Sequence, residues 1–243
     1  MAARNEKAAA RVAQEIVQTI YAEKLRPGDR YLSEAEALTR HNVSRATFRE
    51  ALRFLEFQGV VRVRAGPNGG TIVQKPDWPN LTSTFALLLQ FADAPILQVM
   101  EARALLEPEM AQLAALNAEP GQLEELDALL HSAEQSLADA TGFTTSYRAF
   151  WAILAGATGN AVCAMVWPAL RALVDSGGFS PNEIYRTQLV SRMRKLLDAV
   201  KRKDGDKARE LMAKLDREFA DRLKKNYPQR VARTIAWSDV TNS

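Results

Sequence analysis

The stretch VSRATFREALRFL, Val43 to Leu55, decides how this chain is read. Phe48, Ala51, Leu52 and Leu55 recur at helical spacing, and Ser44 stands where an N-cap would. Yet Arg45 and Arg49 lie in the first turns. The N-terminal end of a helix is partially positive, so it disfavours cations and attracts anions. Arginines placed there make sense if they face an external polyanion. At about 100° per residue, Arg45, Arg49 and Arg53 form one stripe, turned away from the apolar face.

The flanks supply the frame. Upstream, Val12, Ile16 and Ile20 read as a first helix, and RPGDR (Arg26–Arg30) as a turn. Ser33 and Glu36 have capping-box spacing and open a short second helix ending near His41. The third helix stops near Gln58-Gly59. Then the period changes. In VRVR, Val61 and Val63 alternate with Arg62 and Arg64, predicting a strand with an apolar and a basic face. AGPNGG is a turn, and TIVQ a returning strand.

Three helices and a basic hairpin make a winged helix-turn-helix, whose third helix enters a major groove N-terminus first. Arg45, Arg49 and Arg53 are then candidates to fork to guanine or pair with phosphate. Ser44 and Thr47 are candidate phosphate contacts. Arg62, Arg64 and the tip glycines Gly66 and Gly69 would lay the wing along the backbone or minor groove.

Charge distribution agrees. Met1 to Pro76 holds 13 lysines and arginines against 8 acidic residues, net +5, while the remainder has 19 against 21, net −2. The basic surplus sits where a polyanion is expected. A length of 243 residues favours two domains. No apolar run is long enough to span a membrane, the N-terminus lacks an apolar signal core, and one cysteine allows no intrachain disulfide. A cytoplasmic location is expected. There is no phosphate-binding loop, nucleophile elbow or supported cysteine–histidine pair, so no enzyme is expected.

KPDWPN (Lys75–Asn80) reads as a boundary, with a linker over 76–80. Everything after it reads helical, with segments near 81–91, 95–117, 120–140, 143–157, 160–176, 182–203 and 205–226, and a loose polar tail over 227–243. The fold class is therefore mostly α: a winged helix-turn-helix over 1–75, then an all-helical bundle of six or seven helices over 81–226. Asn160 reads as a helix N-cap, and Cys163 and Trp167 as core.

The segment from Pro27 to Val73 resembles the DNA-binding domain of GntR-family transcription regulators. The resemblance gives Arg45 and Arg49 the role of base or phosphate readers, and Ser44, Thr47 and the glycines near Gly66 supporting contacts. One departure is Ala35, where many members have a DNA-touching arginine. EARALLEPEMAQLAA (Glu101–Ala115) and LLDAVKRKDGDKARELM (Leu196–Met212) resemble the helical FCD effector domain of the FadR subfamily. That implies a homodimer on a palindromic double-stranded operator, with a small-molecule effector held inside the bundle.

Many FCD domains hold a metal on one aspartate and three histidines. Those positions fall here on Tyr147, Trp151, Met193 and Leu215, none of which suits a divalent ion. A metal-free variant without cofactor is expected. Two readings of the space stay open: a packed core, or an altered apolar pocket for an organic acid or acyl compound. Arg103 and Arg186 also fall on inward faces. Each is either a structural ion-pair partner or an anchor for a ligand's carboxylate or phosphate. If the helical domain holds no effector, it serves only to dimerise.

Overall fold

The computed structural model describes residues 2–64 and 70–241. They form twelve helices and one two-stranded sheet, divided into two compact units, 1–80 and 81–243.

In the first unit, α1 (Ala2–Ala22), α2 (Glu34–His41) and α3 (Arg45–Phe57) pack around Val12, Ile16, Ala37, Phe48, Ala51, Leu52 and Leu55. Removing these side chains from water is what makes the three helices stable together. The start of α2 carries the full capping box between Ser33 and Glu36. Its end is forced by Asn42, which adopts a left-handed φ of 49° and donates its N–H to the Leu38 carbonyl. Three residues later α3 begins, which gives the tight turn of the helix-turn-helix. A buried His41 ties these elements together: Nδ1 lies 2.8 Å from Glu15 of α1, and Nε2 lies 3.1 Å from the Tyr31 hydroxyl.

The strands β1 (Val61–Arg64) and β2 (Gly70–Val73) pair antiparallel, with Arg62 opposite Ile72 and Arg64 opposite Gly70. The expected apolar face of β1 is only half there: Val61 is buried, but Val63 is 46% exposed. Val61 belongs to the helical core and Val63 does not, so the helices cover only the near end of the strand. Arg30 bridges to Ile72 on the other edge of β2, a pairing the sequence did not suggest.

The second unit is all helical. Its long helices are α4 (Trp78–Phe91), α5 (Ile96–Asn117), α6 (Pro120–Gln135), α7 (Ala140–Gly156), α8 (Ala161–Asp175), α9 (Glu183–Lys201) and α10 (Gly205–Asn226). The main core gathers Leu126, Leu130, Phe150, Trp151, Trp167 and Met193 with α5 and α10 residues. Asn160 caps α8 by accepting from the Val162 and Cys163 N–H groups. Trp167 is fully buried, and Cys163 packs half-buried against the core.

Two boundaries need correction. Residues 78–80 are the first turn of α4 and not linker, because Asp77 accepts from the Trp78 N–H and starts the helix. Nor is the stretch after Tyr227 a loose tail. It forms α11 (Pro228–Val231) and α12 (Trp237–Thr241). Val231 and Ile235 are buried in a second core with Ile96 and Val99. The Ile96 N–H donates to the Arg233 carbonyl and the Ile235 N–H to the Ala94 carbonyl, 3.1 Å each. Two apolar residues in a polar segment are enough to dock it once backbone pairing removes the cost of burying amides.

Candidate functional site

In the first unit, the start of α3 is built by its cap. Ser44 has an extended backbone (φ −69°, ψ 157°), and its Oγ accepts from the Thr47 N–H at 3.2 Å. With the cap in place, Arg45, Arg49 and Arg53 all project outward and are exposed. Arg49 is 68% exposed, with Nε 3.5 Å from Glu34 at the start of α2. Such a surface pair is weak and exchangeable, so Arg49 is held in place without being consumed.

Thr47 differs from expectation. It is buried, and its hydroxyl lies 2.9 Å from Ser44 Oγ. It closes the helix start, and a phosphate contact would have to displace that bond. Arg62 and Arg64 are exposed on β1. Gly66 and Gly69 lie outside the described residues. Sequence reasoning missed Arg30, whose guanidinium lies beside Gly70 at the base of the wing: a Cβ there would meet Arg30 Nε at 3.0 Å. The bridge to β2 brings it there, and no local pattern signals such a bridge.

The second unit buries three arginines, Arg103, Arg171 and Arg186. Arg103 Nε donates to Glu107 at 2.7 Å, and its Nη2 lies 3.4 Å from Asp216. Arg171 donates to the other Glu107 oxygen and, at 3.1 Å, to the Tyr147 hydroxyl. Its guanidinium stacks 3.5 Å over the Trp151 ring. Glu107 is fully buried between the two cations. Burial opposes its charge, but Arg103 and Arg171 outweigh burial and hold its pKa low. Asp216 goes the other way: burial, and then the Glu107 charge, push it up to about 8. One of its oxygens, Oδ2, is enclosed without a hydrogen-bond partner.

The same cluster surrounds two of the four positions that the resemblance maps onto metal ligands. Tyr147 and Trp151, onto which the family resemblance maps an aspartate and a histidine, both face the Arg171 guanidinium. Met193 and Leu215 are buried in the core and offer no ligand atom for a hard ion. A fixed cation already neighbours the two aromatic positions, so these residues do not fit a divalent metal. Among the described residues, no group of three or more metal-binding side chains comes together. Arg171 was not picked out from sequence. Its signal was an arginine inside the apolar run AMVWPALRALV, which demands a buried partner.

A cavity of about 90 Å³ lies between α7, α9, α10 and the α8–α9 loop. Of the six residues expected to line a pocket, only Tyr147 is on its wall. Trp151, Met193 and Leu215 are packed side chains, and Arg103 is held by the Glu107 carboxylate and by Asp216. Arg186 has no carboxylate within 4 Å among the described residues. It donates instead to the carbonyls of Leu137 (2.7 Å) and Pro181 (2.9 Å). It therefore pins the loop that roofs the cavity, a role that neither sequence reading foresaw. The walls themselves come from Phe143, Phe179, Tyr185, Phe219, Arg222 and Tyr227, among others.

Both parts of the chain match families of known proteins. Residues 8–73 match the family model for bacterial regulatory proteins, gntR family, and residues 98–217 match the FCD domain. The chain is 29% identical over 221 residues to the HTH-type transcriptional repressor NanR of Cronobacter sakazakii, covering 86% of this chain and 83% of that one. It is 33% identical over 123 residues to the Uxu operon transcriptional regulator of Escherichia coli, covering 51% and 45%. The solved Streptococcus agalactiae GntR shares the fold, with a TM-score of 0.69 at 21% identity over 88% of this chain and 99% of that one.

Proposed function

This chain belongs to the GntR family of bacterial regulatory proteins, with an FCD domain following its DNA-binding domain, and we propose that it is a repressor released from its operator by a small metabolite. It acts as a homodimer, which sets two copies of α3 on the two halves of a palindromic site. The observation that carries the reading is the stripe of Arg45, Arg49 and Arg53, exposed on a capped helix whose other face is core. Relatives named as repressors support the sign of regulation. The cavity in the helical unit supports an effector, an organic acid, that binds one dimer geometry better than another.

The packing of Trp151, Met193 and Leu215 favours a second reading, in which the helical unit only dimerises. One experiment separates the two. Fluorescence anisotropy with DNA from the chain's own upstream region is run with and without organic acids. The proposed function expects tight, salt-sensitive binding that an acid weakens. Binding that no acid changes leaves the dimerisation reading. Binding that is the same for unrelated DNA overturns sequence-specific regulation.

A further inference from the structure

The polar groups around the cavity divide into two sets. Four are already engaged within the protein, and the Ser180 and Tyr227 hydroxyls also line the wall. The Tyr147 hydroxyl accepts from Arg171, Thr144 Oγ1 donates to the Ala140 carbonyl at 2.7 Å, and Arg148 meets Asp175 at 3.3 Å. Tyr185 and Arg222 are different. Tyr185 is only 5% exposed, and its hydroxyl is enclosed without a hydrogen-bond partner. A buried, unpaired hydroxyl is costly, and its presence asks for a ligand atom. The Arg222 guanidinium lies 3.8 Å over the Tyr185 ring, with no carboxylate within 4 Å among the described residues. Glu218, one turn before it on α10, is held by Arg192 at 2.7 Å.

Arg222 and Tyr185 thus both line the cavity, one guanidinium without a carboxylate beside one enclosed hydroxyl without a partner. Burial pushes the Tyr185 phenol up to about 12, so it keeps its proton and donates. The rest of the wall is dominated by the rings of Phe143, Phe179, Phe219 and Tyr227 with Leu189 and Leu223. We propose that the cavity binds a small monocarboxylate with a planar, apolar body, its carboxylate held by Arg222 and the Tyr185 hydroxyl and its body stacked among the aromatic rings. A polyhydroxylated acid of the same charge is disfavoured, because each hydroxyl left facing a ring without a partner costs roughly tenfold in affinity.

Size limits the class further. The cavity holds about 90 Å³, less than the ~150 Å³ that accepts benzene in an engineered core. The pocket is partly open at its mouth, so a single ring is accommodated in part, and a long acyl chain is disfavoured.

The proposal rests on the cavity being the effector site, so binding and DNA release are measured separately. Isothermal titration calorimetry of the full-length protein uses benzoate and glucuronate as probes, with Arg222→Gln and Tyr185→Phe as variants. Operator release by each probe is followed by anisotropy. Benzoate is expected to bind the parent protein more tightly than glucuronate does. Its affinity should fall at least tenfold in Arg222→Gln and about threefold or more in Tyr185→Phe. Tyr185→Phe should melt no lower than the parent without ligand, since it deletes a partnerless hydroxyl. Binding with these losses supports the proposal even if the operator is not released, in which case the effector reading alone fails. Glucuronate preferred over benzoate, no binding of benzoate, or benzoate affinity unchanged in both variants overturns it.

Discussion

Arg49 and Arg171 are the same side chain put to opposite uses. Arg49 is 68% exposed on α3, loosely held by Glu34. Arg171 is 6% exposed, locked between Glu107, Tyr147 and the Trp151 ring. Removing an exposed arginine leaves the fold nearly untouched, because water already screened its charge. A buried one cannot be removed cheaply, because its partner would keep a charge with nothing to balance it. The first unit therefore has guanidinium groups to offer to DNA. In the second unit Arg103 and Arg171 are consumed inside, and Arg222 stands out because it is not.

The largest expected effect tests the buried side. Glu107→Ala strands two guanidinium groups, and should lower the stability of the helical unit by about 3–5 kcal/mol in urea unfolding. A loss below about 1 kcal/mol would mean that the cluster is wet and the contrast false. Asp216 then gives a pH test. The folded chain keeps its proton up to about pH 8, whereas the unfolded chain releases it near the ordinary value of about 4. Between those values the folded state binds more protons, so this group makes stability fall as pH rises, by up to about 1.4 kcal/mol per pH unit. Asp216→Asn should flatten that part of a melting-temperature profile between pH 4 and 8, and an unchanged slope would rule out the buried proton.

The exposed side predicts the reverse pattern. Arg45→Ala and Arg49→Ala should each weaken operator binding by about 1–3 kcal/mol, while leaving the melting temperature within a degree or two. If either variant melts well below the parent, that arginine belongs to the fold. The smallest effect is at the junction of the two roles. Ser44→Ala should cost about 1 kcal/mol of stability through the lost cap, measured by urea unfolding. Its operator affinity should fall further than Ala46→Ser lowers it, because the cap sets where the arginine stripe starts.

Much of the architecture could be read from local signals. Periodicity placed α1 to α3 and the seven long helices, and the Ser33–Glu36 and Ser44 caps fixed two starts. The misreadings share a cause. Val63 follows the strand pattern, yet it lies beyond the helices that would cover it. The last segment looks polar, yet Val231 and Ile235 dock it through backbone pairing with residues far back in the chain. Arg186 shares a helix face with Val190 and Met193, yet it reaches carbonyls from two loops.

The sequence by itself determined that this chain carries a winged helix-turn-helix with an arginine stripe, joined to a helical domain. Those features are short-range: they depend on spacing within a helix or hairpin. Only the tertiary structure decided which arginines are free. Glu107 and Arg171 are 64 residues apart, and Arg103 and Asp216 are 113 apart. Whether an arginine meets a carboxylate, a carbonyl or an open cavity is set by which helices pack together, and no local pattern encodes that.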